Sequence, residues 1–213
     1  MKKVFPKSID HLVYAVPDLD KAIDEFEIKL GVRPIFGGYH KTQGTKNALI
    51  NLTNNCYLEL LAVDHSNAEI KPPRWMGIDV LSKSKMTRWA LRSDSLEKDS
   101  KALKVFNTEM GDIGSGSRNT ADGSLLKWKL TMPLALPEVE LTPFLIDWSK
   151  TERHPSDLLP DMGCELIDLY GSHPNPEHRT LVFSSLGVRL RIEQSQEVVL
   201  KAIIGTPNGI VEL

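Results

Sequence analysis

Alternating apolar and polar residues open the chain and predict a strand followed by an amphipathic helix. Residues 9–16 alternate in the manner of a half-buried strand. Asp18 or Asp20 can cap the next helix, which runs to about Leu30 because apolar residues recur at helical spacing up to that point. Gly31 is the expected end of the helix, since glycine readily adopts the left-handed conformation found there.

Three further strand-like segments complete this first unit. They cover residues 35–40, 47–53 and 56–63 and are separated by turns rich in glycine or asparagine. The order strand, helix, strand, strand, strand defines a βαβββ unit at 8–63. One such unit leaves a sheet face uncovered, so we expect a partner unit in the same chain.

The same element order recurs later in the chain. A second unit occupies 86–148, and a weaker third copy occupies 164–213. The second unit has a predicted strand at 87–92, a helix at 96–106 and strands at 125–131 and 142–148. Its glycine-rich stretch 111–117 precedes no helical pattern and is interpreted as a turn. Residues 64–85 and 149–163 are expected to be connecting loops, a class of segment that often forms lids.

Charge and composition exclude several classes of function. The 213 residues carry a formal net charge of only −2, which gives no electrostatic case for binding nucleic acid or an anionic membrane surface. No apolar run approaches the roughly 20 residues that a membrane-spanning helix needs. The first ten residues lack the apolar segment of a secretion signal, so we expect a cytoplasmic protein. Cys56 and Cys164 have no metal-site or redox spacing and are expected to be buried and reduced.

Two residues of the first unit are candidates for chemistry because their strands can bring them together. Alternation points His11 to one face of the first strand and Glu59 to one face of the last. If both strands belong to one concave sheet, an imidazole and a carboxylate converge there. Both groups are able to bind a metal ion or move a proton.

This pairing of His11 with Glu59 in a βαβββ unit resembles the vicinal oxygen chelate superfamily and, more closely, glyoxalase-like domain proteins. Further matching motifs are Gly37-Gly38-Tyr39-His40, Gly44-Thr45-Lys46-Asn47-Ala48-Leu49, Leu126 to Thr131, Pro143 to Trp148 and His154-Pro155. The resemblance implies an α+β fold in which repeated βαβββ units form paired, curved mixed sheets around a cavity, with helices outside. It also implies that His11 and Glu59 belong to the site.

The resemblance raises the question of a metal, because a divalent metal in this superfamily usually takes two ligands from each of two units. Aligning 16–20 on 93–97 sets Arg88 against His11, and arginine does not ligate metals. Asp147 lies near the position that corresponds to Glu59, so an acidic partner survives.

Two alternatives therefore stay open. His11, Glu59 and Asp147, with His40 or His154 as a substitute, could hold Mn, Fe, Zn or Mg. Alternatively, an arginine at position 88 pairs with the glutamate and replaces the metal's charge in a site for an anionic ligand.

Other candidates would act on a substrate. His40 stands in a glycine-flanked turn where a general acid or base could reach it, and Asn47 can both donate and accept hydrogen bonds. Arg74 and Trp75 could present a guanidinium and an aromatic face from a lid. Arg88 could bind an anionic group. The tryptophans on strands of the second unit, Trp89 and Trp128, belong either to the core or to the cavity wall.

Two functions follow from these residues and from the resemblance. The first is a small-molecule enzyme of the isomerase, lyase or dioxygenase type that acts on a substrate with neighbouring oxygens. The second is a metal-free ligand-binding or sequestering protein of the same fold. The expected partner is a small molecule, and a homodimer is left open.

Overall fold

The computed structural model describes residues 7–120, 123 and 125–213. The three helices in this part of the chain are α1 (Leu19–Leu30), α2 (Leu96–Phe106) and α3 (Thr180–Leu186). The strands are β1 (Ile9–Ala15), β2 (Ile35–His40), β3 (Thr45–Asn51), β4 (Tyr57–Val63), β5 (Lys85–Arg92), β6 (Ile113–Asn119), β7 (Leu125–Thr131), β8 (Phe144–Asp147), β9 (Glu165–His173), β10 (Arg191–Gln194), β11 (Val199–Thr206) and β12 (Gly209–Glu212). Short 3-10 segments cover Trp75–Val80, Pro155–Leu158 and Pro176–Arg179.

The first two units share one curved sheet of eight strands in the order β2-β3-β4-β1-β5-β8-β7-β6. Within each unit the first strand pairs in parallel with the last, and the units join through the antiparallel pair β1–β5. The edge strands β2 and β6 come close together, since a Cβ on Gly38 would lie 2.9 Å from the carbonyl oxygen of Asn119. The predicted α+β fold of curved mixed sheets is confirmed, and its large sheet is nearly closed like a barrel.

The register between β1 and β5 shows that the two units are related by a local twofold. His11 lies opposite Ala90, and Val13 lies opposite Arg88. Under the alignment of the repeats, His11 corresponds to Arg88 and Val13 to Ala90, so the two pairs exchange. The structure therefore supports the alignment of Arg88 on His11.

A β-bulge in each strand follows the same twofold. In β1 the extra residue is Asp10, between the pairs formed by Ile9 and His11. In β5 it is Thr87, between the pairs formed by Arg88 and Met86. A bulge interrupts the alternation of a strand, so two consecutive side chains can point to one face. This is how Asp10 comes to lie beside its neighbour His11.

The third segment has the element order of the repeat but a different strand pairing. Its four strands form a separate sheet in the order β10-β9-β11-β12. Here the first strand pairs in parallel with the second strand of the segment, not with the last. This segment therefore does not reproduce the sheet that positions His11 and Glu59 in the first unit.

One sequence interpretation is wrong, because the glycine-rich stretch 111–117 contains most of strand β6 and is not a turn. β6 pairs with β7 along its whole length. A Cβ on Gly116 would overlap the indole of Trp128, so glycine is required there by a ring that lies across the strand. Glycine has a low β-propensity, so the sequence did not predict β6, a strand that is specified by its packing.

The helices cover the convex face of the sheet and bury the larger of two apolar clusters. Asp18 caps α1 by accepting hydrogen bonds from the backbone N–H groups of Asp20 and Lys21 at 3.0 and 3.1 Å. Gly31 ends the helix with φ 77°. A second apolar cluster, without helical residues from α1 to α3, lines the concave face. None of the described helices is long and apolar enough to cross a membrane.

Candidate functional site

A small cavity lies on the concave face of the eight-stranded sheet, between the two units. Its volume of about 30 Å³ is room for one or two water molecules. The polar side chains that line it are His11, His40, Asn47, Glu59 and Arg118. The aromatic side chains around them are Tyr57, Trp75, Trp128, Phe144 and Trp148.

The structure brings His11 and Glu59 together in this cavity, as the alternation of their strands predicts. His11 Nε2 lies 3.7 Å from Glu59 Oε2, and both residues are buried. The other carboxylate oxygen, Oε1, accepts a hydrogen bond of 2.6 Å from Asn47 Nδ2. Asn47 comes from the neighbouring strand β3, where it lies two positions from the residue paired with Glu59. Glu59 is therefore held from one side and faces an imidazole on the other.

Asp10 orients His11 from behind. Its Oδ1 lies 2.7 Å from His11 Nδ1, and a carboxylate at that distance can only accept, so Nδ1 carries the proton. The other ring nitrogen, Nε2, faces Glu59 and is the one that can exchange a proton. We did not predict a role for Asp10, because strict alternation would have pointed it to the opposite face and the bulge was not foreseen.

Asp10 is also the centre of a wider buried network. Its carboxylate accepts hydrogen bonds from Arg92 Nε at 3.1 Å and from Trp148 Nε1 at 3.1 and 3.2 Å. His154 Nε2 lies 3.0 Å from the same group. Burial alone would raise the pKa of Asp10, but hydrogen bonds from His11 and His154 outweigh it and hold this pKa well below its usual value. Asp10 is thus a permanent anion with no exposed surface.

His40 is the second histidine of the cavity. Its Nε2 lies 3.3 Å from Asn47 Nδ2, which can only donate, so Nε2 accepts and Nδ1 donates to Thr45 Oγ1 at 3.0 Å. Burial lowers the pKa of His40 to about 4 against the raising effect of Glu59, with Arg118 and His11 lowering it further. His40 is therefore a neutral side chain at neutral pH that fixes the amide of Asn47.

Arg118 supplies the cation of the cavity, and no sequence pattern had singled it out. It projects from β6, the strand whose glycine-rich sequence was interpreted as a turn. Its guanidinium donates to the carbonyl oxygen of Gly37 across the gap between the sheet edges. Burial lowers the pKa of Arg118, with the charge of Glu59 among the groups that raise it.

Of the predicted aromatic and lid residues, Trp75 and Trp128 reach the cavity and Arg74 does not. Each of the two indoles meets the His40 ring edge to face, with centroids 5.8 Å apart. Arg74 turns away and forms an ion pair with Asp79. It also donates to the carbonyl oxygen of Ile70 at 2.7 Å.

Besides Arg74, four further predicted site residues lie outside the cavity lining, namely Arg88, Trp89, Asp147 and His154. Arg88 binds backbone carbonyl groups of residues 134–138, including that of Leu136 at 2.8 Å. Trp89 faces the helical side of the sheet and donates to the carbonyl oxygen of Leu141 at 2.7 Å. Asp147 accepts from the backbone N–H of Ser149 at 2.7 Å in an exposed turn.

The fourth residue, His154, stands behind the cavity on the far side of Asp10.

The register of β8 explains why the second unit offers no acid. Val13 pairs with Glu59 in the first unit, and the corresponding Ala90 pairs with Phe144 in the second. Phe144, not Asp147, is therefore the counterpart of Glu59.

The pairing of the strands shows which side chains of the two units are in position to bind a divalent metal. The first unit offers the donors His11 and Glu59, whereas the second unit places Arg88 and Phe144 at the corresponding positions, and neither ligates metals. Among residues 7–120, 123 and 125–213, no group of three or more His, Cys, Asp or Glu side chains is arranged to hold a metal ion. The donor set does not fit the Mn, Fe, Zn or Mg site that the sequence left open.

A family model described as a glyoxalase-like domain matches residues 9–187. The chain belongs to the glyoxalase-like domain family. The match spans both units of the large sheet and continues through α3 of the third segment. No curated protein matches the chain. The expected resemblance to glyoxalase-like domain proteins is therefore confirmed.

Solved structures share this glyoxalase-like fold. A hypothetical protein from Staphylococcus aureus is 15% identical, with 90% of this chain and 87% of that chain covered and a TM-score of 0.64. Methylmalonyl-CoA epimerase from Mycobacterium tuberculosis is 18% identical, with coverages of 69% and 91% and a TM-score of 0.43. A variant of the Streptomyces coelicolor epimerase in complex with 2-nitronate-propionyl-CoA is 16% identical, with coverages of 68% and 99% and a TM-score of 0.43. At 15% identity the likeness to the Staphylococcus aureus protein shows the fold alone.

The glyoxalase-like cavity combines three chemical capacities within one enclosure. The Glu59 carboxylate and the His11 imidazole are both able to accept a proton. Arg118 provides a fixed positive charge that can stabilise a developing oxyanion. Aromatic side chains surround these groups, and apolar surroundings strengthen each of these electrostatic effects.

Proposed function

We propose that this glyoxalase-like protein is a small-molecule enzyme of the isomerase or lyase type, which removes a proton from a carbon next to oxygen-bearing carbons. The observation that carries the proposal is the approach of Glu59 Oε2 to within 3.7 Å of His11 Nε2 in a buried cavity that is lined by aromatic side chains. Two adjacent bases of different kinds in a site shielded from water are the arrangement that proton transfer requires.

Each side chain has a defined part in this scheme. Glu59 takes the proton, because the hydrogen bond from Asn47 fixes one carboxylate oxygen and leaves the other directed at His11. Arg118 stabilises the enolate oxygen that forms as the C–H bond breaks. The imidazole of His11 stabilises the protonated carboxyl group by accepting its hydrogen bond, and Asp10 maintains the tautomer that makes this acceptance feasible.

Hydrogen exchange into solvent tests the proposal even while the product is unidentified. A panel of 2-hydroxy ketones, 2-hydroxy acids and 1,3-dicarbonyl esters is incubated with the protein in D₂O, and loss of the C–H signal is followed by proton NMR. We expect at least one compound to exchange, and Glu59→Gln to slow that exchange by about 10²- to 10⁴-fold. Glu165→Gln, at an exposed position on β9, is the matched control. Equal exchange rates in the wild type and Glu59→Gln would contradict the proposal.

A second candidate function is ligand binding without turnover. It is favoured by the second unit, in which Arg88 and Phe144 occupy the positions of His11 and Glu59 and supply neither a second histidine nor a second carboxylate. Compounds that shift the resonances of cavity side chains but never exchange a proton would favour this function over the enzyme.

A further inference from the structure

Arg118 stands at a junction between the inner cavity and the surface. Only 7% of the residue is exposed, yet it lines the cavity and also a groove of about 300 Å³ on the outside of the protein. We call this the outer groove; it runs along the gap between β2 and β6 and is lined among others by Phe36, Tyr39 and Leu125. A molecule that occupied the groove would meet the guanidinium before it met Glu59.

Within the part of the chain that the structure describes, the close side-chain environment of Arg118 contains no carboxylate partner. Its guanidinium donates to the carbonyl oxygen of Gly37, a neutral acceptor. Within residues 7–120, 123 and 125–213, no carboxylate forms an ion pair with it at 4.0 Å or less, although Glu59 acts on it from a greater distance. A buried cation is costly unless an anion pairs with it. The geometry therefore leaves a place for an anionic group of a ligand.

A second buried donor of the same cavity also lacks a partner. Trp75 Nε1 is shielded from solvent and forms no hydrogen bond within the part of the chain that the structure describes. Buried indole N–H groups normally find an acceptor, so an unpaired one in a cavity wall indicates an acceptor supplied from outside. A ligand whose oxygen atoms accept hydrogen bonds would therefore satisfy both Arg118 and Trp75.

The outer groove indicates what accompanies the anionic group. Phe36 and Tyr39 are exposed by 44% and 46%, and their rings meet edge to face with centroids 5.2 Å apart. Leu125, from the opposite edge of the gap, is exposed by 50%. Apolar side chains gathered around a groove are typical of a binding surface for an apolar moiety.

We propose that the ligand is a carboxylate with an apolar tail. The carboxylate is bound by Arg118 with the indole N–H of Trp75, and the tail lies in the outer groove against Phe36 and Tyr39. A carboxylate fits better than a phosphate, because the cavity is only about 30 Å³ and Glu59 would repel a dianion more strongly than a monoanion. The assignment of this carboxylate as a substrate rests on the proposed function, whereas its binding does not.

Titration with 2-hydroxy-3-phenylpropanoate and its methyl ester tests the inference. Binding is followed through the indole N–H resonance of Trp75 in ¹H–¹⁵N spectra, with Trp75→Phe used to assign the peak. We expect the acid to shift this resonance and the ester to bind at least about tenfold more weakly. Arg118→Gln should weaken binding of the acid by about 30-fold, which is the loss typical of removing one partner from a buried charge pair.

Arg153→Gln is the matched control, because Arg153 is an exposed arginine that lines a neighbouring groove and also flanks the gap. It should leave the affinity for the acid unchanged. Should Arg118→Gln unfold, Arg118→Lys retains the charge, and we expect it to lose about tenfold through the missing bidentate contact.

Equal affinities for the acid and the ester, or equal losses in the Arg118 and Arg153 variants, would overturn the inference. Binding of the acid without any proton exchange would leave this inference standing and contradict the proposed enzyme. Proton exchange on a neutral compound without binding of the acid would support the proposed enzyme and overturn this inference.

Discussion

The two units of the large sheet have one backbone plan and different chemistry. Both contain a strand, a helix and three more strands, both pair their first strand with their last, and both carry a bulge at corresponding residues, Asp10 and Thr87. In the first unit the bulge residue is a buried anion with four side-chain partners. In the second it is a buried threonine whose hydroxyl group has no partner within the described chain.

The same contrast holds for the residues at the centre of the sheet. The first unit presents His11 and Glu59 to the cavity. The second unit presents Phe144 to it and uses Arg88 to hold the backbone of residues 134–138. The repeated fold therefore fixes where the side chains lie, while the identity of each side chain decides which half supplies the histidine and the carboxylate.

The largest expected effect concerns the two bulges. Asp10→Asn removes the charge that His11, His154 and Arg92 share, and loss of one partner from a buried ionic network costs about 3 to 5 kcal/mol. Thr87→Val removes a hydroxyl group that has no partner, so we expect stability unchanged or raised by about 1 kcal/mol. Urea unfolding of both variants at neutral pH measures the difference. Similar losses in the two variants would show that the bulges are equivalent after all.

A somewhat smaller effect is the change of stability with pH that His40 causes. It belongs to the first unit alone, because the second unit contains no histidine. The folded protein holds the pKa of His40 at about 4, below its ordinary 6.5, so the unfolded chain binds the extra proton between these values. Stability should therefore rise by about 3 kcal/mol as the pH increases from 4 to 6.5. Asp10, whose pKa is also lowered, acts in a lower window and loses its contribution only as the pH falls below 3.8.

Two histidine variants separate the contribution of His40 to this pH dependence from that of other groups. In His40→Gln the rise between pH 4 and 6.5 should largely vanish, whereas His65→Gln, at an exposed loop position, should retain it. Thermal melting across this pH range provides the measurement. An unchanged slope in His40→Gln would mean that other groups titrate in this window.

The smallest effect comes from restoring an acid to the second unit. Phe144→Glu places a carboxylate beside His11, whose ring is now 5.3 Å from that of Phe144, and so gives three donors in one cavity. We expect Co²⁺ to bind this variant about tenfold more tightly than the wild type, with the absorption bands of a protein-bound ion. Phe144→Leu is the control for cavity size. If the wild type already binds Co²⁺ as tightly, the register of β8 is not what limits metal binding.

Much of the fold could be predicted because its first unit follows simple rules. Alternation placed His11 and Glu59 on one face, and the structure brings them to one cavity. The helix α1 begins and ends where Asp18 and Gly31 indicate. These features depend on local spacing and local backbone preferences, which a sequence displays directly.

The rest depended on contacts that local patterns do not record. β6 was missed because Gly116 is required by a ring from another strand, and Arg118 was missed with it. Trp89 was placed among the substrate-binding candidates, but its side of the strand depends on the bulge at Thr87. Asp10 was overlooked for the same reason. One inserted residue changes which face every later side chain occupies, and no periodicity reveals it.

The turn at Met76 and Gly77 determines the direction from which a ligand can be exchanged. Both residues have φ near 58°, and a Cβ on the glycine would overlap Pro137. Met76 N–H donates to the carbonyl oxygen of Leu134 at 3.0 Å, in the segment that Arg88 also holds. The wall that carries Trp75 is thereby fastened to the second unit. We therefore expect a ligand to enter and leave through the gap between the edge strands β2 and β6, which the hydrogen bond from Arg118 to Gly37 spans.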